Sequence, residues 1–155
     1  MEVRELQPFG VAVAPTDADE LRAEHDRVAA LLHDHALVVV EGTPLTQRDQ
    51  IDLVAAVGPL IDEAMKGEFY GHISHDPAVP APFAAAGVFR GPLSFHSDLT
   101  YTSSPPHVLS LYAVELPSTG GETRFANAAR ALATLPSHLR AEIDGRWARH
   151  VFNAG

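Results

Sequence analysis

The chain has 155 residues, a formal net charge of −9, 46% hydrophobic and 20% charged residues, and no cysteine. That length fits one domain with a real core, and the composition excludes an extended disordered chain. The acidic balance argues against nucleic acid or an anionic membrane surface as partner, and without cysteine there is neither a disulfide framework nor a thiolate metal site. The opening MEVRELQPFG carries acidic residues and no long apolar run, so neither a signal peptide nor a spanning helix is expected. A cytoplasmic protein is the simplest reading.

In chain order, Phe9 to Val13 reads as a short strand. Thr16 then caps a helix whose apolar positions Leu21, Val28, Leu31 and Leu32 recur at helical spacing. The continuous β-branched run from Leu37 to Val40 suits a strand buried on both faces. Gly42 and Pro44 end it. Thr46 with Asp49 forms an N-cap for a helix through Ile51, Val54 and Val57, closed by Gly58-Pro59. Tyr70 to Ser74 is the next expected strand.

From His75 to Pro92 the composition shifts to Pro, Ala and Gly, which excludes regular structure for most of that stretch and suits a lid or substrate wall. Val108 to Glu115 and Thr123 to Phe125 read as strands joined by a turn from Pro117 to Gly121. Asn127 caps a helix towards Leu132, Ser137 caps another, and Arg146 to Phe152 reads as a last strand. No repeat or low-complexity linker divides the chain, so residues 1 to 155 are expected to form a single domain.

His96 and Asp98, within FHSDLTY, are the sole His-x-Asp pair. In an extended segment residues i and i+2 share a face, so an imidazole and a carboxylate can reach one metal. They would be two thirds of a 2-His-1-carboxylate triad, which holds Fe(II) on one side of an octahedron and leaves positions for other ligands. Nine histidines in 155 residues produce about 0.6 such pairs by chance, so the pair alone is equally readable as a surface His and Asp beside a turn.

The surrounding residues are more specific. The stretch FHSDLTYTSSPPHVLSLYAVELPSTGGETRFAN, Phe95 to Asn127, resembles the TauD/TfdA family of Fe(II)/2-oxoglutarate dioxygenases. The likeness lies in the metal motif, the Pro105-Pro106 pair, the following apolar strand and the Gly-Gly-acid-Thr turn, in matching order. It implies a mainly β fold with flanking helices (α+β), a distorted double-stranded β-helix of the jelly-roll, clavaminate synthase-like type. The chain would hold the N-terminal half of that fold and be incomplete at its C-terminus.

By that resemblance His96 and Asp98 bind Fe(II), and the Thr123 hydroxyl helps hold a carboxylate of the cosubstrate 2-oxoglutarate, with O2 as the oxidant. Thr123 also reads as a β-branched residue starting a strand. Tyr70, His72 and Ser94, with Leu93, fall where relatives approach the substrate, and Thr100 and Tyr101 line the pocket or merely pack. His33-Asp34-His35 resembles a metal cluster in composition, yet it falls at a helix C-terminus, where such residues are favoured anyway. His150 is assigned a structural role. The family's distal histidine, and the arginine that pairs with the far carboxylate of 2-oxoglutarate, have no counterpart in residues 1 to 155.

The implied function is hydroxylation of a small organic acid or amino-acid-like substrate, with self-association or a complementing C-terminal segment as further partners. The competing reading is a catalytically silent half-domain that binds a ligand or another protein.

Overall fold

A computed structural model describes residues 1–62, 67, 69–73 and 94–151. The chain separates into two compact units, one of Met1–Ser94 with Val108–Tyr112, the other of Phe95–His107 with Ala113–Gly155.

The first unit is built on a three-stranded sheet in the order β1-β2-β3. β1 (Glu2–Glu5) runs antiparallel to β2 (Val11–Ala14), with Val3 opposite Val13. β3 (Val38–Val40) lies parallel on the other side of β2, with Ala12 opposite Val39. The central strand is the buried one. Val11, Ala12 and Val13 are at most 2% exposed, and Leu21 and Val28 complete the core. Each fully buried Val or Leu contributes roughly 1.5–3 kcal/mol relative to exposure. Gly10 immediately precedes this strand at φ +92, and a Cβ there would stand 3.0 Å from Leu37 Cβ and 3.1 Å from its carbonyl oxygen. Glycine is therefore required where β2 meets the chain entering β3.

A parallel pair needs a crossover, here supplied by α1 (Ala18–Ala23) and α2 (His25–His35). The single helix expected here is broken at Glu24. His25 Nδ1 stands 2.8 Å from the Arg22 carbonyl, which in a continuous helix would accept the amide of Asp26. The cap also falls one residue later than expected. Asp17, not Thr16, accepts the Glu20 amide, while the Thr16 amide and hydroxyl donate back to the Glu20 carboxylate. The expected β3 is shorter and less covered than a doubly buried strand, with Val39 36% exposed. β1 is an unexpected strand, since Glu2-Val3-Arg4-Glu5 offers one apolar residue and forms because β2 has an open edge beside it.

α3 (Gln47–Val57) carries the capping box expected from Thr46 and Asp49 and ends at Gly58. The Asp49 amide donates to the Thr46 hydroxyl at 3.2 Å, and that hydroxyl and the Thr46 amide donate to Asp49 Oδ2 at 2.7 and 2.8 Å. Arg22 ties this cap to α1 through a 2.5 Å contact with Asp49 Oδ1.

In the second unit α4 (Ala128–Ala133) is capped by Asn127 as expected. α5 (Ser137–Ile143) includes Ser137 as its first residue, so Pro136 takes the cap position and the expected serine cap is absent. None of the described residues in Val108–Glu115, Thr123–Phe125, Arg146–Val151 or Tyr70–Ile73 is in a strand. Leu109, Leu111 and Val114 are 60%, 53% and 76% exposed. An apolar run becomes a strand by hydrogen bonding to a neighbour, and no described segment pairs with these. The small mixed sheet with flanking helices agrees with the α+β expectation at that coarse level. Ser74, Phe152 and the stretch His75 to Pro92 lie outside the described residues. No helix among the described residues is long and apolar enough to cross a membrane.

The capping geometry yields a stability prediction. Thr46→Ala removes the acceptor of the Asp49 amide and is expected to lower stability by about 1 kcal/mol in urea denaturation followed by circular dichroism. Hydrogen bonds from Thr46, and then Arg22, hold the Asp49 carboxyl below its usual range. The N-terminal ammonium and the Thr16 amide hold Glu20 down to about 2. Both carboxylates are favoured in the folded form, so their stabilisation is complete above the ordinary carboxylate range and fades as pH falls toward about 2. The double variant Glu20→Gln, Asp49→Asn should show a shallower loss of stability over that range than the wild type; parallel curves would contradict it.

Candidate functional site

His96 and Asp98 belong to the second unit. His96 Nε2 stands 3.2 Å from Asp98 Oδ1, with the side chains 56% and 43% exposed. The expected extended backbone is corrected here, because residues 98–101 form a turn. Leu99 adopts φ 53, a left-handed conformation uncommon for a residue with a branched side chain. Its carbonyl accepts both the Thr102 amide at 2.9 Å and the Thr102 hydroxyl at 2.8 Å. Those two bonds close the turn immediately behind Asp98.

The donor set is one imidazole nitrogen and one carboxylate oxygen, which suits a divalent first-row metal. Adjacent ligands of an octahedron with bonds of about 2.1 Å are about 3.0 Å apart, close to the observed spacing. The same spacing suits a hydrogen bond between the two side chains. Among the described residues no group of three His, Asp or Glu side chains is placed to hold a metal. His33 instead pairs with Asp34 at 3.1 Å on exposed surface at the end of α2. His150 Nδ1 stands 3.4 Å from the Thr100 hydroxyl, so its described partner is the turn and not the His96–Asp98 pair.

Thr123 is exposed and lies in the same unit as His96 and Asp98. The turn before it has the expected backbone. Gly120 and Gly121 sit at φ +76 and +79, and a Cβ on Gly121 would come within 2.8 Å of Pro117 Cγ. Any other residue there would strain the loop that leads into Thr123. Tyr101 is exposed, and Thr100 is half-buried within the turn.

Tyr70, His72 and Ser94 belong to the first unit, and Leu93 lies outside the described residues. The Tyr70 and His72 rings meet edge to face, with centroids 5.6 Å apart. Gln47, on the first turn of α3, brings its amide nitrogen to 3.3 Å from His72 Nε2. The Tyr112 hydroxyl accepts the Leu45 amide at 3.2 Å, and Gln50 donates to the Ser110 hydroxyl at 3.0 Å. These contacts fasten residues 108–112 to the start of α3 without a strand. Gln47 and the Thr100–His150 contact left no mark in sequence spacing, because each joins residues far apart in the chain. A groove of about 380 Å³ beside α1 and α3 is lined by Arg22, His25, Asp52, Leu53, Ala55 and Ala56, none of them an expected site residue.

Residues 2–155 match the family described as taurine catabolism dioxygenase TauD, TfdA family. The chain is similar to an alpha-ketoglutarate-dependent 2,4-dichlorophenoxyacetate dioxygenase of Cupriavidus pinatubonensis, at 28% identity over 158 residues, covering 92% of this chain and 55% of that protein. A stretch of 57 residues is 40% identical to an alpha-ketoglutarate-dependent sulfate ester dioxygenase of Pseudomonas putida, covering 37% of this chain and 19% of the relative. The chain thus spans 55% of the length of the first relative and is matched to 19% of the second. No solved structure matches it.

Proposed function

The chain belongs to the TauD/TfdA dioxygenase family, and we propose that it carries the His-x-Asp part of an Fe(II)- and 2-oxoglutarate-dependent oxygenase site. The observation that carries this reading is the 3.2 Å approach of His96 Nε2 to Asp98 Oδ1. In this reading the complete domain is a jelly-roll, and the third protein ligand and the arginine facing the cosubstrate come from outside the described residues. The family match and the dioxygenase names of the relatives count against a silent binding module.

His96 and Asp98 would hold Fe(II) through one neutral nitrogen and one anionic oxygen, leaving one unit of positive charge to attract an anionic cosubstrate. Bound iron would supply dioxygen activation coupled to oxidative decarboxylation of 2-oxoglutarate, with succinate, CO2 and a hydroxylated substrate as products. The protein's share is positioning. Thr123 donates its hydroxyl proton to a carboxylate oxygen of 2-oxoglutarate, and the Gly120-Gly121 turn sets where that hydroxyl stands. The substrate class suggested by the sulfate ester and dichlorophenoxyacetate in the relatives' names is a small organic anion, and Thr100 and Tyr101, in the unit of His96 and Asp98, would meet it. Gln47, against His72 Nε2, would help orient the His72 ring.

Anaerobic titration with Fe(II) and 2-oxoglutarate, followed by succinate measurement after air is admitted, tests the function. Residues 1–155 alone should release succinate far below an enzymatic rate, since the His96–Asp98 pair by itself would hold iron loosely. Adding the C-terminal segment of a relative should restore His96-dependent succinate formation. In that complemented protein Thr123→Ala should weaken 2-oxoglutarate binding about fivefold, the scale of one lost hydrogen bond, with Fe(II) affinity unchanged. Robust succinate release by the isolated chain, or no effect of Thr123→Ala, would overturn the respective assignment.

A further inference from the structure

The turn behind Asp98 is held from a distant part of the chain. Thr100 Oγ1 stands 3.4 Å from His150 Nδ1 and 3.5 Å from the Ser97 carbonyl oxygen. A carbonyl only accepts and a hydroxyl has one proton, so both contacts are satisfied together in one arrangement. His150 Nδ1–H donates to the Thr100 hydroxyl, and that hydroxyl donates to Ser97 O. The relay spans both sides of Asp98. It fastens Ser97 before the carboxylate and Thr100 after it, while Thr102 closes on Leu99.

We propose that His150 is a positioning residue for the His96–Asp98 donor pair, acting through the Thr100 hydroxyl and not as a metal ligand. The proposal rests on the metal reading of His96 and Asp98 given above. Leu99 at φ 53 is a backbone state that a leucine does not favour by itself, so the bonds around it, the two from Thr102 included, have to hold it. Within the described residues the Thr100–His150 contact is a side-chain bond reaching this turn from 50 positions away. Both bonds are long for hydrogen bonds, so the relay is a modest clamp and its effect should be modest. Its absence would let the turn sample φ < 0 and swing the Asp98 carboxylate away from His96.

The test uses the full chain with Co(II) as the probe metal, together with amide hydrogen exchange at Thr102, whose N–H reports closure of the turn without any metal. Thr100→Val and His150→Ala should each weaken Co(II) binding about 3–10-fold and accelerate exchange at Thr102 by a similar factor, as expected for one weak hydrogen bond. The double variant should be no worse than the more damaged single one, because both substitutions cut the same relay. Thr100→Ser should restore wild-type behaviour, and the Co(II) absorption of His150→Ala should keep its wild-type shape. A changed spectrum in His150→Ala with Thr100→Val unaffected would make His150 a ligand and overturn the proposal. Additive effects of the two substitutions, or no effect of either on Thr102 exchange, would overturn it as well. Wild-type Co(II) binding that survives His96→Ala would instead sink the metal reading, and the exchange at Thr102 would still decide whether the relay holds the turn.

Discussion

Everything in the first unit depends on β2 being paired on both edges and covered on its faces. Its backbone hydrogen bonds to β1 and β3 are satisfied, and Val11 and Val13 are all but inaccessible. The parallel pairing of β2 with β3 forces the chain to cross over in between, and that crossover lays α2 against β3 and supplies the buried Leu21 of α1 and Val28 of α2. The close approach of Gly10 to Leu37 is the steric condition for this arrangement. α3 packs beside α1 and α2, and Arg22 joins α1 to the Asp49 of its cap.

The second unit relies on a different device. It has no strand among its described residues, and the candidate site is set by turns. One turn closes behind Asp98 through Leu99 and Thr102, and the other places Thr123 after two glycines at positive φ. Turns of this kind fix side-chain direction with few residues, but their hydrogen bonds are exposed and individually weak. A donor pair that is about half exposed would by itself hold a metal weakly.

The local parts of this architecture were legible in the sequence. The Thr46–Asp49 capping box, Gly58 as a helix end, Asn127 as a cap and the double-glycine turn are decided by residues within a few positions of one another. Where two local signals competed, the sequence reading went astray. Thr16 and Asp17 are both good caps and Asp17 takes the amide, and His25 claims a helix carbonyl that periodicity assumed to be free. The strands read from Leu109, Leu111 and Val114 failed for a non-local reason, since apolar alternation states that a segment can pair and not with what. For the site, the His-x-Asp spacing and its neighbours pointed to the family that the match over residues 2–155 bears out. The left-handed Leu99 and the reach of His150 to Thr100 were invisible, because one is a backbone state unfavourable for leucine and the other a contact across 50 positions.

The central claim is that His96 and Asp98 share one divalent metal. Pulsed electron paramagnetic resonance of the Cu(II)-loaded chain measures it most directly, by counting the imidazole nitrogens coupled to the ion. One coupled imidazole, lost in His96→Ala and retained in His150→Ala, is the result expected from the 3.2 Å pair. Coupling that persists in His96→Ala, or that disappears in His150→Ala, would contradict it.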